Sequence, residues 1–163
     1  KYRSKKFLSF SSKIQIFKKY NNFIMFDKNS WLNIKDIKLI NQKEKEILKI
    51  LKLFLGCKYK WGGKVFNGID CSALVQIFYQ FNNKYFPRDT KDQIKYSKIN
   101  LKRKNFKKGD LIFWKGHVAI CLNSTKLIHA YGPKKKVIIM PIKRTIYQIE
   151  KTANLKVKKI SRI

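Results

Sequence analysis

Two patterns of hydrophobic spacing divide this chain, and their order limits its fold more than any other feature. Between Asn41 and Phe81 the apolar residues recur at helical intervals. Ile47, Leu48, Leu51, Phe54 and Leu55 make one stripe, with Gly56 placed to stop it, and Leu74, Val75, Phe78 and Phe81 make a second. After Gly109-Asp110 the apolar residues come in short strand-like runs instead. Leu111–Trp114, His117–Leu122, Lys126–Tyr131 and Val137–Pro141 are separated by the turn formers Asn123-Ser124-Thr125 and Gly132-Pro133. Helices followed by consecutive short strands predict an α+β domain, with N-terminal helices packed on an antiparallel β-meander. A short helix is expected over Thr90–Ser97. The first 40 residues carry smaller β-like pieces at Ile14–Phe17, Asn22–Phe26 and Ser30–Ile34, and the tail from Lys151 reads as an edge strand or a frayed end. The chain therefore divides into a β-rich segment 1–40, a main domain 41–150 and a tail 151–163.

Composition narrows the function classes. The 163 residues carry 39 Lys+Arg against 9 Asp+Glu, a formal charge of +30, yet 44% are hydrophobic and 14% aromatic. That apolar content excludes a disordered polycation. No run approaches the ~18 uncharged apolar residues of a membrane-spanning helix. Only five of the basic residues are arginine (Arg3, Arg88, Arg103, Arg144, Arg162), the side chain that grips phosphates and base edges in pairs. Lysine is spread evenly among Ile, Asn, Phe and Tyr, a mixture that AT-rich coding produces, and no recognition motif accompanies it. No specific nucleic-acid partner is expected. Three cysteines, Cys57, Cys71 and Cys121, form neither a disulfide framework nor a CxxC zinc pair, so no metal and no cofactor is expected. The chain opens on Lys1 rather than Met, which leaves a cleaved leader open and the compartment undecided between periplasmic or extracellular and cytoplasmic.

One constellation carries chemistry. Asp70 is a favoured N-cap, which places Cys71 in the first turn of the second helix. The positive end of a helix stabilises a thiolate, and a neighbouring imidazole does so further. The chain's two histidines, His117 and His129, fall on strands that can adjoin, so one could act as base while the other fixes its tautomer. Singly, each residue has a plainer reading, as a small buried hydrophobe or a satisfied core histidine. Together they describe a nucleophile, a base and an orienting group.

The residues around them resemble a known family. Tyr59-Lys60-Trp61-Gly62-Gly63 and Gly68-Ile69-Asp70-Cys71-Ser72-Ala73-Leu74-Val75-Gln76 are similar to the signature of the NlpC-type cell-wall peptidases, compact papain-like cysteine enzymes. Pro87-Arg88-Asp89-Thr90 with Gln93, Gly109-Asp110-Leu111-Ile112-Phe113-Trp114, His117-Val118-Ala119-Ile120 and Ile128-His129-Ala130 continue it in order, so that residues 44–142 are covered. The resemblance implies Cys71 as nucleophile, His117 as general base and acid, His129 as the group orienting His117, and Tyr59 beside the oxyanion. It implies Asp70 facing a substrate amino group and Ser72 facing a γ-D-glutamyl unit. Trp61 and Arg88 complete the candidate substrate contacts, Arg88 toward a carboxylate, although packing for Trp61 and Trp114 and plain surface exposure for Arg88 are the more economical readings.

The implied activity is hydrolysis of peptidoglycan stem peptides or muropeptides after γ-D-glutamate, toward diaminopimelate or lysine. The basic coat would draw the protein to anionic wall polymers. The alternatives are a catalytically silent peptidoglycan-binding relative, an amidase or acyltransferase using the same Cys-His dyad, and a basic nucleic-acid binder. Two features depart from the family pattern. Ala73 stands where Gly is commoner, and only Lys115 and Gly116 separate Trp114 from His117. Residues 1–40 are more weakly similar to the end of a Src-homology-like β-barrel, through Ser30-Trp31-Leu32-Asn33-Ile34.

Overall fold

The strand-like runs of the last third pair into one antiparallel sheet. In a computed structural model, which describes residues 7–101 and 105–162, strands β6 (Asp110–Trp114), β7 (His117–Cys121), β8 (Lys126–Tyr131), β9 (Lys136–Pro141) and β10 (Lys159–Arg162) lie in the order β10-β6-β7-β8-β9. Arg3 and Arg103 lie outside the described residues. Successive side chains alternate between the two faces. Leu111, Phe113, Val118, Ile120, Ile128, Ala130 and Val137 pack with the helices that precede the sheet, α1 (Ile47–Lys52) and α2 (Cys71–Phe81). Ile112, Trp114, Ala119, Cys121, Leu127 and Met140 form a second core on the other face, with Ile142 and Ile149 of α4 (Ile142–Ala153). Because both faces are covered, the strands read as nearly continuous apolar runs rather than as alternating ones.

The turns hold this register. β6 and β7 are joined through Lys115-Gly116, with Trp114 opposite His117 and Gly116 in the left-handed region at φ 74°. Asn123 closes the next turn, its Oδ1 accepting from the backbone N–H groups of Thr125 and Lys126 at 2.9 and 2.8 Å. The helices-on-meander architecture expected from the sequence is thus present, with one addition. Residues 142–150 carried no expected element, yet α4 forms there, burying Ile142, Thr145 and Ile149. The tail supplies an edge strand: β10 pairs antiparallel with β6, Ile160 opposite Ile112.

Ahead of this domain stands a three-stranded antiparallel sheet of β1 (Lys18–Tyr20), β2 (Phe23–Asp27) and β3 (Ser30–Asn33). The first strand begins at Lys18 and not at Ile14. Ile16 and Phe17 stay exposed; the Phe17 N–H already donates to the Met25 carbonyl at 2.8 Å, and the ladder runs from Lys18, opposite Met25, to the turn at Asn21, at φ 48°. The segment before it is anchored by Phe10, which stacks on Phe81 at 5.1 Å and meets Phe54 edge-on at 5.6 Å. Among the described residues, no helix is long and apolar enough to cross a membrane.

Candidate active site

The site is assembled where the first turn of α2 meets the start of β7. Asp70 caps α2 as expected, its Oδ1 accepting from the Ala73 N–H at 2.8 Å. Ala73 is buried, so its methyl is accommodated within the helix packing. The loop before the cap is folded back tightly on a two-stranded hairpin, β4 (Lys64–Val65) and β5 (Gly68–Ile69). Gly63 is required there, because a Cβ would lie 2.4 Å from the Gly68 carbonyl oxygen. The Gly62 N–H donates to Asp70 Oδ2 at 3.0 Å, which ties the loop to the helix cap.

Cys71 is 6% exposed. Its Sγ lies 3.9 Å from the Gly116 carbonyl oxygen and 4.0 Å from Thr90 Oγ1, at the head of α3 (Thr90–Tyr96). Burial pushes the thiol pKa up, while the Val118 N–H pulls it down; Asp70 adds to the rise, and the Thr90 hydroxyl and Ser72 N–H oppose it. The net direction is upward, contrary to the depressed thiol expected from the sequence. The reason is chiefly burial, which penalises the thiolate at a 6% exposed sulfur, with the Asp70 carboxylate at the helix end adding to it. Cys71 rests as a neutral thiol.

The two histidines meet as the strand pairing requires. His117 Nε2 and His129 Nδ1 are 2.9 Å apart, and on its far side His129 Nε2 lies 3.3 Å from Met140 Sδ. Tyr131 stacks on the His129 ring at 4.6 Å and Trp114 flanks His117 at 5.5 Å. Apolar surroundings penalise the charged rings, so burial pushes His117 down to about 4. His129 is lowered further, by burial and by the charge of its neighbour. Both imidazoles rest neutral.

The structure places the expected substrate contacts differently from one another. Asp70 and Arg88 form a two-pronged ion pair, with Nη2 to Oδ2 at 2.6 Å and Nη1 to Oδ1 at 3.0 Å. Arg88 Nη1 also donates to Ser72 Oγ at 2.8 Å, and Ser72 Oγ donates to Asp70 Oδ1 at 3.1 Å. Arg88 is therefore neither a free surface cation nor an open carboxylate receptor; the buried carboxylate claims its fork. Asp70 and Ser72, both buried, are committed to the same network. Tyr59 is part-buried, near enough to Cys71 and Asp70 that their charges add to burial in raising its pKa. Trp61 is 80% exposed, whereas Trp114 is 1% exposed, so the packing reading holds for Trp114 alone.

Thr90 and Gln93 were not singled out as site residues. Gln93 is fully buried and its Nε2 donates to the carbonyls of Ser72 and Pro87, both at 2.9 Å, fastening α3 to the Cys71 turn. The available signal was that both lie in the Pro87-Arg88-Asp89-Thr90 stretch with Gln93 that carries the family resemblance. Among the described residues no group of three or more His, Cys, Asp or Glu side chains is arranged to hold a metal ion.

The chain is similar to known peptidases. The chain is 38% identical over 79 residues to dipeptidyl-peptidase 6 of Lysinibacillus sphaericus, covering 47% of this chain and 28% of that protein. It is 30% identical over 105 residues to the γ-D-glutamyl-L-lysine dipeptidyl-peptidase of Bacillus cereus, covering 60% of this chain and 31% of that one. The matched segments thus span about a third or less of these relatives' own lengths. The crystal structure of an NlpC/P60 family protein from Bacillus cereus superposes with a TM-score of 0.79 at 24% identity, over 95% of this chain and 55% of that one, a likeness of fold. The family model described as NlpC/P60 matches residues 56–156, more than half of the chain and the whole segment holding the Cys71 turn and both histidines, so this chain belongs to the NlpC/P60 family.

Proposed function

We propose that this protein is a cysteine peptidase of peptidoglycan peptides, cleaving after γ-D-glutamate toward diaminopimelate or lysine. The observation that carries the reading is the arrangement of Cys71 against the start of β7 with His117 held by His129 at 2.9 Å, inside the family-matched segment. The names of the relatives supply the substrate class: one is a γ-D-glutamyl-L-lysine dipeptidyl-peptidase.

The resting state constrains the mechanism. With the thiol raised and the imidazole lowered, the pair starts neutral, so His117 takes the Cys71 proton as the sulfur attacks the amide carbon. The imidazolium so formed returns that proton to the leaving amine, giving a thioester. Water, deprotonated by His117, then releases the acid and regenerates the thiol. Developing charge on the carbonyl oxygen meets the Tyr59 phenol and a first-turn backbone N–H. Asp70, Ser72 and Arg88 act as one rigid frame beside Cys71: they hold the Cys71 turn and the Gly62 loop in place.

The test is incubation of the purified protein with defined muropeptides, followed by mass spectrometry of the products. Scission after γ-D-glutamate, lost in Cys71→Ala with the fold retained by circular dichroism, supports the reading. Hydrolysis retained by Cys71→Ala sinks it.

A further inference from the structure

The pair of rings at His117 and His129 does not by itself say which nitrogen carries which proton. At 2.9 Å one nitrogen must donate and the other accept, and either direction closes the bond equally well. The choice falls to the far side of His129, where Nε2 lies 3.3 Å from Met140 Sδ. A thioether sulfur has no proton to give and can only accept. We propose that Met140 is a positioning residue that sets the proton positions of this relay, holding both histidines as their Nε2–H tautomers. The proposal deepens the peptidase reading and rests on it for its catalytic consequence.

The donors and acceptors form one chain from the sulfur to the base. A neutral His129 has one ring N–H. Placed on Nε2 it satisfies the sulfur and leaves Nδ1 as an acceptor. His117 must then donate from Nε2, and being neutral it keeps a bare Nδ1, the one ring nitrogen not held by His129 and free to take the thiol proton. The opposite arrangement sets two lone pairs facing each other at 3.3 Å and puts the proton on the nitrogen needed as base. Water cannot relieve that clash, because His129 is fully buried and Met140 is 7% exposed.

The scaffold keeps the contact in place. Met140 sits on β9 in register with Leu127 of β8, and Tyr131 stacks on the His129 ring and resists its rotation. A thioether also orients without charge. A carboxylate at this point would raise the basicity of both rings, whereas sulfur leaves them neutral and still directional.

Because the chain contains two histidines in all, the test is direct. A long-range proton–nitrogen correlation spectrum of protein labelled with nitrogen-15 histidine reports each ring's tautomer. Both rings are expected to show a protonated Nε2 and a bare Nδ1. Met140→Leu, similar in volume but without an acceptor, is expected to populate the other tautomer of His129. Its kcat on a soluble muropeptide should fall roughly tenfold with KM unchanged. Met140→Gln, whose carbonyl oxygen can accept, should recover most of the rate. A wild-type His129 protonated on Nδ1 overturns the proposal, whether or not any variant folds. So does a Met140→Leu protein with unaltered spectrum and kcat. Failure to cleave any muropeptide defeats the peptidase reading instead and leaves the spectral result standing.

Discussion

The two halves of the site are built from opposite materials. On the helix side, Cys71 sits among charge: Asp70, Arg88 and Ser72 exchange four close hydrogen bonds, and Gly62 and Ala73 add backbone donors. On the sheet side, His117 and His129 are surrounded by Trp114, Tyr131 and Met140, without a carboxylate or cation among their bonded partners. The difference shows where rigidity and reactivity come from. Ion pairing fixes a turn of backbone and burial keeps the sulfur protonated, so this side positions the thiol without ionising it. An apolar frame fixes two rings and lowers their basicity, so it aligns a base without charging it. Reactivity must then arise when substrate and proton transfer bring the halves together.

The largest effect expected falls on the sheet side. If His117 moves the proton as proposed, His117→Ala should lower turnover by on the order of 10⁴-fold or more. His129→Ala removes only its support, so a loss of roughly 10- to 100-fold is expected. Equal losses in the two variants would mean that His129 touches the chemistry itself and that the sheet side has no division of labour.

The helix side should break as a fold before it breaks as a catalyst. Arg88→Ala leaves the Asp70 carboxylate buried without its cation, a loss of roughly 3–5 kcal/mol. At this chain length that corresponds to a fall in Tm of about 10 °C. Arg88→Lys should recover only part of it, since an ammonium cannot reproduce the two-pronged contact. An unchanged Tm in Arg88→Ala would show that the network is not structural and would return Arg88 to the role of substrate receptor.

The sheet side makes its own demand, on pH. An unfolded histidine takes up its proton near pH 6.5, whereas folded His117 does so only near 4. Between these values the unfolded chain binds more protons, so stability is full above about pH 6.5 and declines as pH falls toward 4. The decline across that window is on the order of 3 kcal/mol for His117. Denaturant unfolding followed against pH should show this loss, and a His117→Gln, His129→Gln double variant should flatten it. A slope that persists in the double variant would show that the acid sensitivity does not come from these two rings.

How much of this could be read in advance depends on how local each feature is. The Asp70 cap and the Cys71 turn follow from adjacent residues, and the β7–β8 pairing from the Asn123 turn, so both were legible. Helix α4 was legible but not read: Ile142, Ile146 and Ile149 keep helical spacing, while Thr145 in the same stripe and a Pro141 cap without a side-chain bond disguise it. Two features could not be read. The Arg88–Asp70 pair joins residues 18 apart across a loop, and His129 meets Met140 only because β8 and β9 take one register out of several. The raised thiol belongs with these, since it comes first from the burial of Cys71 among elements distant in the chain.

Trp61 separates the two halves at the smallest scale. It stands on the loop that Gly62 ties to Asp70, yet its own ring is 80% exposed and contributes little to the core. If that loop serves only as scaffold, Trp61→Ala should change nothing, because exposed side chains away from special contacts count within about 0.5 kcal/mol. If the ring instead touches bound substrate, its contact with a peptide or sugar is worth about 0.5–1.5 kcal/mol. That corresponds to a KM raised by roughly two- to tenfold. We expect the second outcome: Tm unchanged, kcat unchanged and KM raised on muropeptides. The reason is that a large aromatic ring held in water by an anchored glycine loop gains nothing from folding. A fall in Tm with KM unaltered would place Trp61 with Arg88 as part of the helix-side frame.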